Sequence, residues 1–267
     1  MDSVTIKEIG ADRLGDFVKL PFRLYSGDPD WVAPLIGDQL KLLRGGSHFL
    51  SSSKHAFLMA YKNWSSCGRI IVGRYEGMRK DAEGKAYLSM PAADDARTLG
   101  LLIDAAEGWA RAEGLKGMIG PWSPTDSDDE KGLLVEGFTG PPSLLGSYNK
   151  PWYKEVFEER GYVKLVDFIS YSLERYPGGG PRIEHLIELA EKRAKLTISG
   201  LDRNNLERDF RDIHKVMLAA VGDNPYLPSP TWDQFKPEAE RLAKLADDKL
   251  VLIARRNDGG EPTAKWR

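Results

Sequence analysis

The sequence predicts a mixed α/β fold, α+β in character with a mixed sheet, followed by an incomplete second half of similar build. Three observations carry this. Short runs with strand alternation interleave with runs of helical period from residue 4 onward. The stretch "YPGGGP" (Tyr176 to Pro181) then breaks every pattern, because three glycines between two prolines continue neither a helix nor a central strand. Beyond it strand and helix patterns resume and soon stop. The expected organisation is a first domain over 1–175, a linker over 176–181 and a truncated second half over 182–267.

In order, "SVTIKEI" alternates and predicts a strand. "DRLGDFVKLPFRLY" has helical spacing at Leu14, Phe17, Val18 and Phe22, perturbed by Pro21. After the turn "DPDWVAP", "LIGDQLKLL" predicts a second short helix. "HAFLMAYK" and "CGRIIVGRY" predict a hairpin closed by "NWSS", and "KAYLSM" a further strand. Arg97 to Glu113 is the clearest helix, with apolar Leu99, Leu102, Ile103, Ala106, Trp109 and Ala110, and Gly114 as its stop. "KGMIG" predicts a short strand, "PWYKEVFEER" a helix ended by Gly161, and "YVKLVDFISYSLE" a strand pair or one bent strand. After the linker, the patterns give a helix, the strand "KLTISGLD", two helices and the strand "KLVLIARR". The exposed edge of that last strand invites pairing between chains, and hence a homodimer. The ending "EPTAKWR" reads as a frame change or an early stop.

With 267 residues, 41% hydrophobic and 29% charged, the chain has the make-up of one or two soluble globular domains. A net charge of −2 speaks against nucleic-acid binding through a broad basic field. The lone Cys67 excludes an intrachain disulfide. The first residues lack a secretory pattern, and runs such as "LVLIA" fall far short of the roughly 20 apolar residues of a membrane span. The expectation is a cytoplasmic protein.

Several motifs fail. "GMRKDAEGK" puts six residues between Gly77 and Gly84, where a phosphate loop has four, and Ala86 follows the lysine. The four histidines form no i, i+4 pair, so no metal is expected. The acids of "SDDEK" read as a solvated loop.

The segment "GPWSPTDSDDEKGLLVEGFTGPPSLLGSYNKPWY" (Gly120 to Tyr153) combines turn formers with Trp122, Phe138, Tyr148, Trp152 and Tyr153. Two roles suit it. It presents a binding surface on a rigid scaffold, or it is an Ω-like cover over an apolar edge.

The order of elements, with "LPFRLYSGDPDWVAPLIGDQ", "GRI" (Gly68 to Ile70), the long ribbon and "YNKPWYKEVFEERGY", resembles the GNAT (N-acetyltransferase) superfamily. Within it, the chain is similar to bacterial GNAT-like proteins with tandem halves. The resemblance implies two parallel strands, "KAYLSM" and "KGMIG", that splay apart around a gap. The amide arm of acetyl-CoA or another acyl-CoA would pair with backbone there, near Met90 and Ala92. Its pyrophosphate would meet the start of the following helix, near Arg97 and Thr98, and Asn149 is assigned to the same ligand. The usual glycine-rich phosphate signature is replaced by "PAADDARTLG". Asp94 and Asp95 suit helix capping and repel a pyrophosphate by about 3 kcal/mol each at ~5 Å before screening.

By the same resemblance, a tyrosine on the last helix of the domain protonates the leaving thiolate. Phe157 stands at the usual spacing from Gly161, which leaves Tyr153 and Tyr148 as stand-ins; aromatic packing is the commoner role for both. Glu136, flanked by apolar residues, is the candidate base. Ser123 and Thr125 are candidate contacts to a small-molecule substrate. Two functions remain: an N-acyltransferase acting on a small-molecule amine, or a catalytically silent scaffold that binds a small molecule or a partner protein.

Overall fold

The computed structural model describes residues 3–75, 82–124, 131–143, 146–171, 180–194, 196–221, 230–244, 246–247 and 250–257. They divide into two units, Met1–Ile169 and Ser170–Arg267.

The first unit holds a five-stranded sheet in the order β1-β2-β3-β4-β5, formed by Val4–Ile9, Lys54–Lys62, Ser65–Arg74, Lys85–Ala93 and Gly117–Ile119. The first four strands pair antiparallel, and β4 and β5 pair parallel. The central strands are nearly continuous in apolar residues because both sheet faces are covered. On one face, α4 (Ala96–Ala112) and α5 (Tyr153–Glu159) bury Ala56, Ile70, Leu88, Leu99, Leu102 and Phe157 together. On the other, α1 (Leu14–Leu24) and the short α3 (His48–Ser51) enclose Phe17, Phe49, Met59, Ile71 and Tyr87. The second predicted helix is α2 (Ile36–Lys41). The sequence reading missed α3, a single turn behind the paired glycines Gly45 and Gly46.

Two details explain motifs. Pro21 lies inside α1 and has no N–H to give the carbonyl four residues earlier. That carbonyl, Phe17 O, instead accepts from Arg69 Nη1 of β3 at 2.6 Å, and the guanidinium also covers the Phe17 ring. Gly68, beside it, lets α4 approach: a Cβ there would meet Leu102 Cδ1 at 2.7 Å and Thr98 Cγ2 at 2.9 Å. The β2–β3 turn has Asn63 and Trp64 in the left-handed region, as a two-residue hairpin turn requires.

The second unit runs α6 (Gly180–Ala194), β6 (Leu196–Ser199), α7 (Leu206–Val221), α8 (Trp232–Ala243) and β7 (Ile253–Arg256), with β6 and β7 antiparallel. Asp209 of α7 is fully buried and accepts from the Asp202 N–H, from Arg208 and from Arg255 Nη2 of β7 at 2.6 Å. Arg255 also reaches Asp212 at 2.8 Å and Ser199 at 3.1 Å, tying the helix to both strands.

Two expectations are corrected. Tyr162–Tyr171 forms no strand: no neighbouring strand pairs with it, and Val163, Phe168, Ile169 and Tyr171 are exposed. Strand composition does not produce a strand without a pairing edge. The linker is shorter at its end than predicted, since Gly180 and Pro181 open α6, where a missing N–H is tolerated; the rest of "YPGGGP" lies outside the described residues.

Candidate functional site

The parallel pair β4 and β5 is short. Its register runs Lys85↔Gly117, Ala86↔Met118 and Tyr87↔Ile119, and there it ends. Gly120 follows with φ +148°, and a Cβ on it would stand 2.5 Å from Leu88 O. The chain then turns off, its last tie to β4 being the Trp122 N–H on Leu88 O at 2.7 Å. β4 continues to Ala93, paired there with β3 through Arg69↔Ala92 and Gly68↔Ala93. Its register against β3 shifts between Arg69 and Ile71, opposite Met90, whose φ is +51°. This is a β-bulge, and bulges re-aim a strand beside functional sites. Pro91 within it offers no N–H to a ladder. From Ser89 to Ala92, no strand borders β4 on the β5 side among the described residues.

The far end of this gap is closed by the chain itself. The Tyr153 hydroxyl, from the first turn of α5, accepts the Ala93 N–H at 2.7 Å and lies 3.3 Å from the Ala93 carbonyl. Tyr25, just past the end of α1, interacts electrostatically with Tyr153. Burial pushes the Tyr153 phenol up; the Ala93 N–H, the Tyr25 hydroxyl and the Arg69 charge pull the other way.

At the start of α4, Asp95 is the N-cap, and its carboxylate accepts the Thr98 N–H at 2.7 Å. Partial burial opposes its ionisation, but Thr98, Lys62 and Arg97 outweigh it and hold the carboxyl below its ordinary value. An internal anion therefore already uses the Thr98 donor expected to meet a ligand. Thr98 is buried, and Arg97 and Asp94 are exposed.

The ribbon is pinned at several points. Ser47 Oγ donates to Pro124 O at 2.6 Å, and Gly132 N–H to Pro121 O at 2.8 Å. Lys131 covers the Trp122 ring. Asn149 is buried; it accepts the Leu134 N–H at 2.7 Å and donates to the Leu134 and Lys150 carbonyls. Its amide braces the ribbon rather than facing a ligand, contrary to the sequence reading. Ser123 is fully buried. Glu136 is exposed, so the burial inferred from its apolar neighbours is absent; Val135 beside it is exposed as well. Thr125, Asp126 and Asp129 lie outside the described residues.

Tyr148 packs against Tyr25. The Tyr148 ring meets Tyr25 edge-on at 5.7 Å, and its hydroxyl donates to Asp28 Oδ1 at 2.9 Å. Burial and then Asp28 push the Tyr148 phenol up to about 12. Asp28 also holds the Lys150 ammonium at 2.8 Å, and that ammonium stands 4.8 Å from the centre of the Tyr25 ring. Trp31 stacks on Tyr25 at 5.3 Å. Sequence reasoning gave no site role to Tyr25, Asp28, Trp31, Arg69 or Lys150. The signal was there: "RLYSGDPDW" gathers two acids and two aromatics around a Gly-Asp-Pro turn. Among the described residues, no cluster of three or more metal-ligating side chains occurs, and no helix is long and apolar enough to cross a membrane.

No protein-family model matches the chain. It is 25% identical over 247 residues to protein YghO of Escherichia coli (strain K12), covering 89% of this chain and 61% of that protein. It is 27% identical over 248 residues to a bacterial ceramide synthase of Caulobacter vibrioides (strain NA1000 / CB15N), covering 89% and 62%. The chain thus spans about three fifths of the length of these curated relatives. Similar solved structures include the aminoglycoside N-acetyltransferase AAC(6')-Iy in complex with CoA, with 13% identity, TM-score 0.39, and 66% of this chain and 97% of that one covered. A tandem GNAT protein from the clavulanic acid biosynthesis pathway gives 12%, 0.40, 60% and 43%. The strand order, the parted parallel pair and the α4 crossover are the arrangement expected of the first unit from the sequence resemblance.

Proposed function

We propose that the chain is an N-acyltransferase of the GNAT kind, moving an acyl group from acyl-CoA to the amine of a small molecule. The observation that carries this is the parting of β4 from β5 after Tyr87 and Ile119, with a bulge at Met90. A strand bordered on one side is a template for an extended amide arm, and the stretch from Ser89 to Ala92, with Met90 and Ala92, is where acyl-CoA would lie. Arg97, exposed in the first turn of α4, is the cation for its phosphates.

Transfer forms the amide C–N bond and breaks the thioester C–S bond; the amine loses a proton and the thiolate gains one. Tyr153 is the acid at the gap. The phenolate it would leave is supported by the Ala93 N–H and the Arg69 charge. Tyr148 is the less apt acid, because its proton is directed at Asp28. Glu136 is the base, its exposure leaving it open to an amine. Ser123 and Thr125 stand for substrate contacts at the ribbon's start. The relative named a bacterial ceramide synthase supports an amine acceptor, since ceramide is an amide.

Asp95 supports a second reading, a GNAT-fold scaffold without catalysis, because a carboxylate occupies the helix start where phosphate would bind. Calorimetry with acetyl-CoA and a long-chain acyl-CoA separates the two. Micromolar binding is expected; no heat at millimolar ligand ends the acyltransferase reading for this chain. If binding occurs, Glu136→Gln lowering amine acylation by orders of magnitude excludes the scaffold.

A further inference from the structure

The Asp28 cluster has the chemistry of an ammonium site, and the chain's own lysine sits in it. The Lys150 ammonium has a carboxylate oxygen at 2.8 Å and the face of Tyr25 at 4.8 Å. A carboxylate with an aromatic face is how proteins hold organic ammonium groups in partly dry surroundings. Tyr148 steadies the other carboxylate oxygen at 2.9 Å, and Trp31 stacks on Tyr25. The Lys150 hydrogen bond, foremost, keeps Asp28 below the usual carboxylate range, so the site is anionic. The Asp30 backbone N–H also donates to the Asp28 carboxylate, at 3.2 Å.

The site is reachable, since the Lys150 side chain is 32% exposed and that of Asp28 15%. An arriving ammonium would displace a surface ion pair of the kind worth little in water. Val32 and Leu35, just past Trp31, are 64% and 73% exposed, an apolar surface with no evident partner in the fold. Tyr25 also interacts electrostatically with Tyr153 beside the gap.

We infer that Asp28, with Tyr25, Trp31 and Tyr148, is a subsite for a primary ammonium on an apolar stem, with Lys150 as its internal occupant. As an acceptor subsite this rests on the acyltransferase reading, but the site is tested by equilibrium binding without acyl-CoA, so the two can fail separately. The probe is dodecylamine below its micelle concentration, with dodecanol as the uncharged counterpart. Lys150→Met keeps the stem and removes the cation. Its dodecylamine affinity is expected to rise about tenfold over the unaltered protein, with dodecanol unchanged, and Asp28→Asn is expected to abolish the gain. An unchanged amine affinity in Lys150→Met, or an equal gain for dodecanol, overturns the proposal. Should Asp28→Asn fail to fold, the amine–alcohol contrast in Lys150→Met still decides.

Discussion

Arg69 Nη1 donates to the Phe17 carbonyl at 2.6 Å, the one carbonyl of α1 that Pro21 deprives of its helical donor. The bond is buried and joins α1 to the middle of the sheet. Arg69→Met should cost about 1–3 kcal/mol, the usual penalty for stranding a buried acceptor. Pro21→Ala restores a local N–H, so in that background the same change should cost measurably less. Urea denaturation of the four proteins in a double-mutant cycle gives the coupling. Additive costs would mean the arginine acts only by packing on the Phe17 ring.

Tyr153→Phe tests the closed end of the gap. The change leaves the buried Ala93 N–H without its acceptor. A loss of about 1–3 kcal/mol is expected in chemical denaturation. If Tyr153 is also the proton donor, acyl transfer falls well beyond what the stability loss explains, and the affinity for acyl-CoA stays within about threefold.

How much of this was legible in the sequence depended on whether the signal was local. Strands β2 to β4 and helix α4 follow from periodicity, and the Asp95 cap from capping chemistry, whereas the parting after Ile119 was expected only from the family resemblance. The strand expected from Tyr162 failed because pairing is a property of neighbours, not of composition. Asn149 looked like a ligand contact because its role, clasping Leu134 from fifteen residues away, is written only in the fold. The Asp28 cluster was missed for the same reason: Asp28 and Lys150 are 122 positions apart. Arg69 and Pro21 were noticed as separate motifs, and only their contact explains why both are present.

Gly120→Ala should damage the site and the fold together. The added methyl group would sit 2.5 Å from Leu88 O, and φ of +148° is one that L side chains rarely adopt. Backbone strain and overlap add to at least about 2 kcal/mol. The loss should be concentrated at the strand junction, so hydrogen exchange at Trp122, whose N–H is bonded to Leu88, should quicken more than at Ile71 in the centre of the sheet.

The second unit carries its own acid sensitivity. Asp209 is fully buried; burial opposes its ionisation, but the Asp202 N–H, Arg208 and Arg255 outweigh it and hold its carboxyl below the ordinary 3.8. A depressed folded value means that the stabilisation is complete above the unfolded value and drains as pH falls below it. NMR signals of α7 and β7 should therefore be steady above about pH 5 and weaken progressively below pH 4. Asp209→Asn should lower stability at neutral pH and flatten that decline. An unchanged decline would assign the acid sensitivity to other carboxylates.

Asp95 separates stability from ligand affinity. Its carboxylate caps α4 through Thr98, and a serine can make the same bond without the charge. Asp95→Ser should therefore leave stability within about 0.5 kcal/mol, while Asp95→Ala should lose about 0.5–2 kcal/mol. Under the acyltransferase reading, both changes remove a negative charge from the place where the pyrophosphate approaches. Unscreened, that repulsion is worth about 3 kcal/mol at ~5 Å; with solvent and salt, roughly a tenfold gain in CoA affinity remains. Calorimetry at low and high salt should show the gain shrinking as salt rises. If Asp95→Ser binds CoA no better than the parent chain at low salt, the phosphates do not pass the α4 start, and the scaffold reading gains what the acyltransferase reading loses.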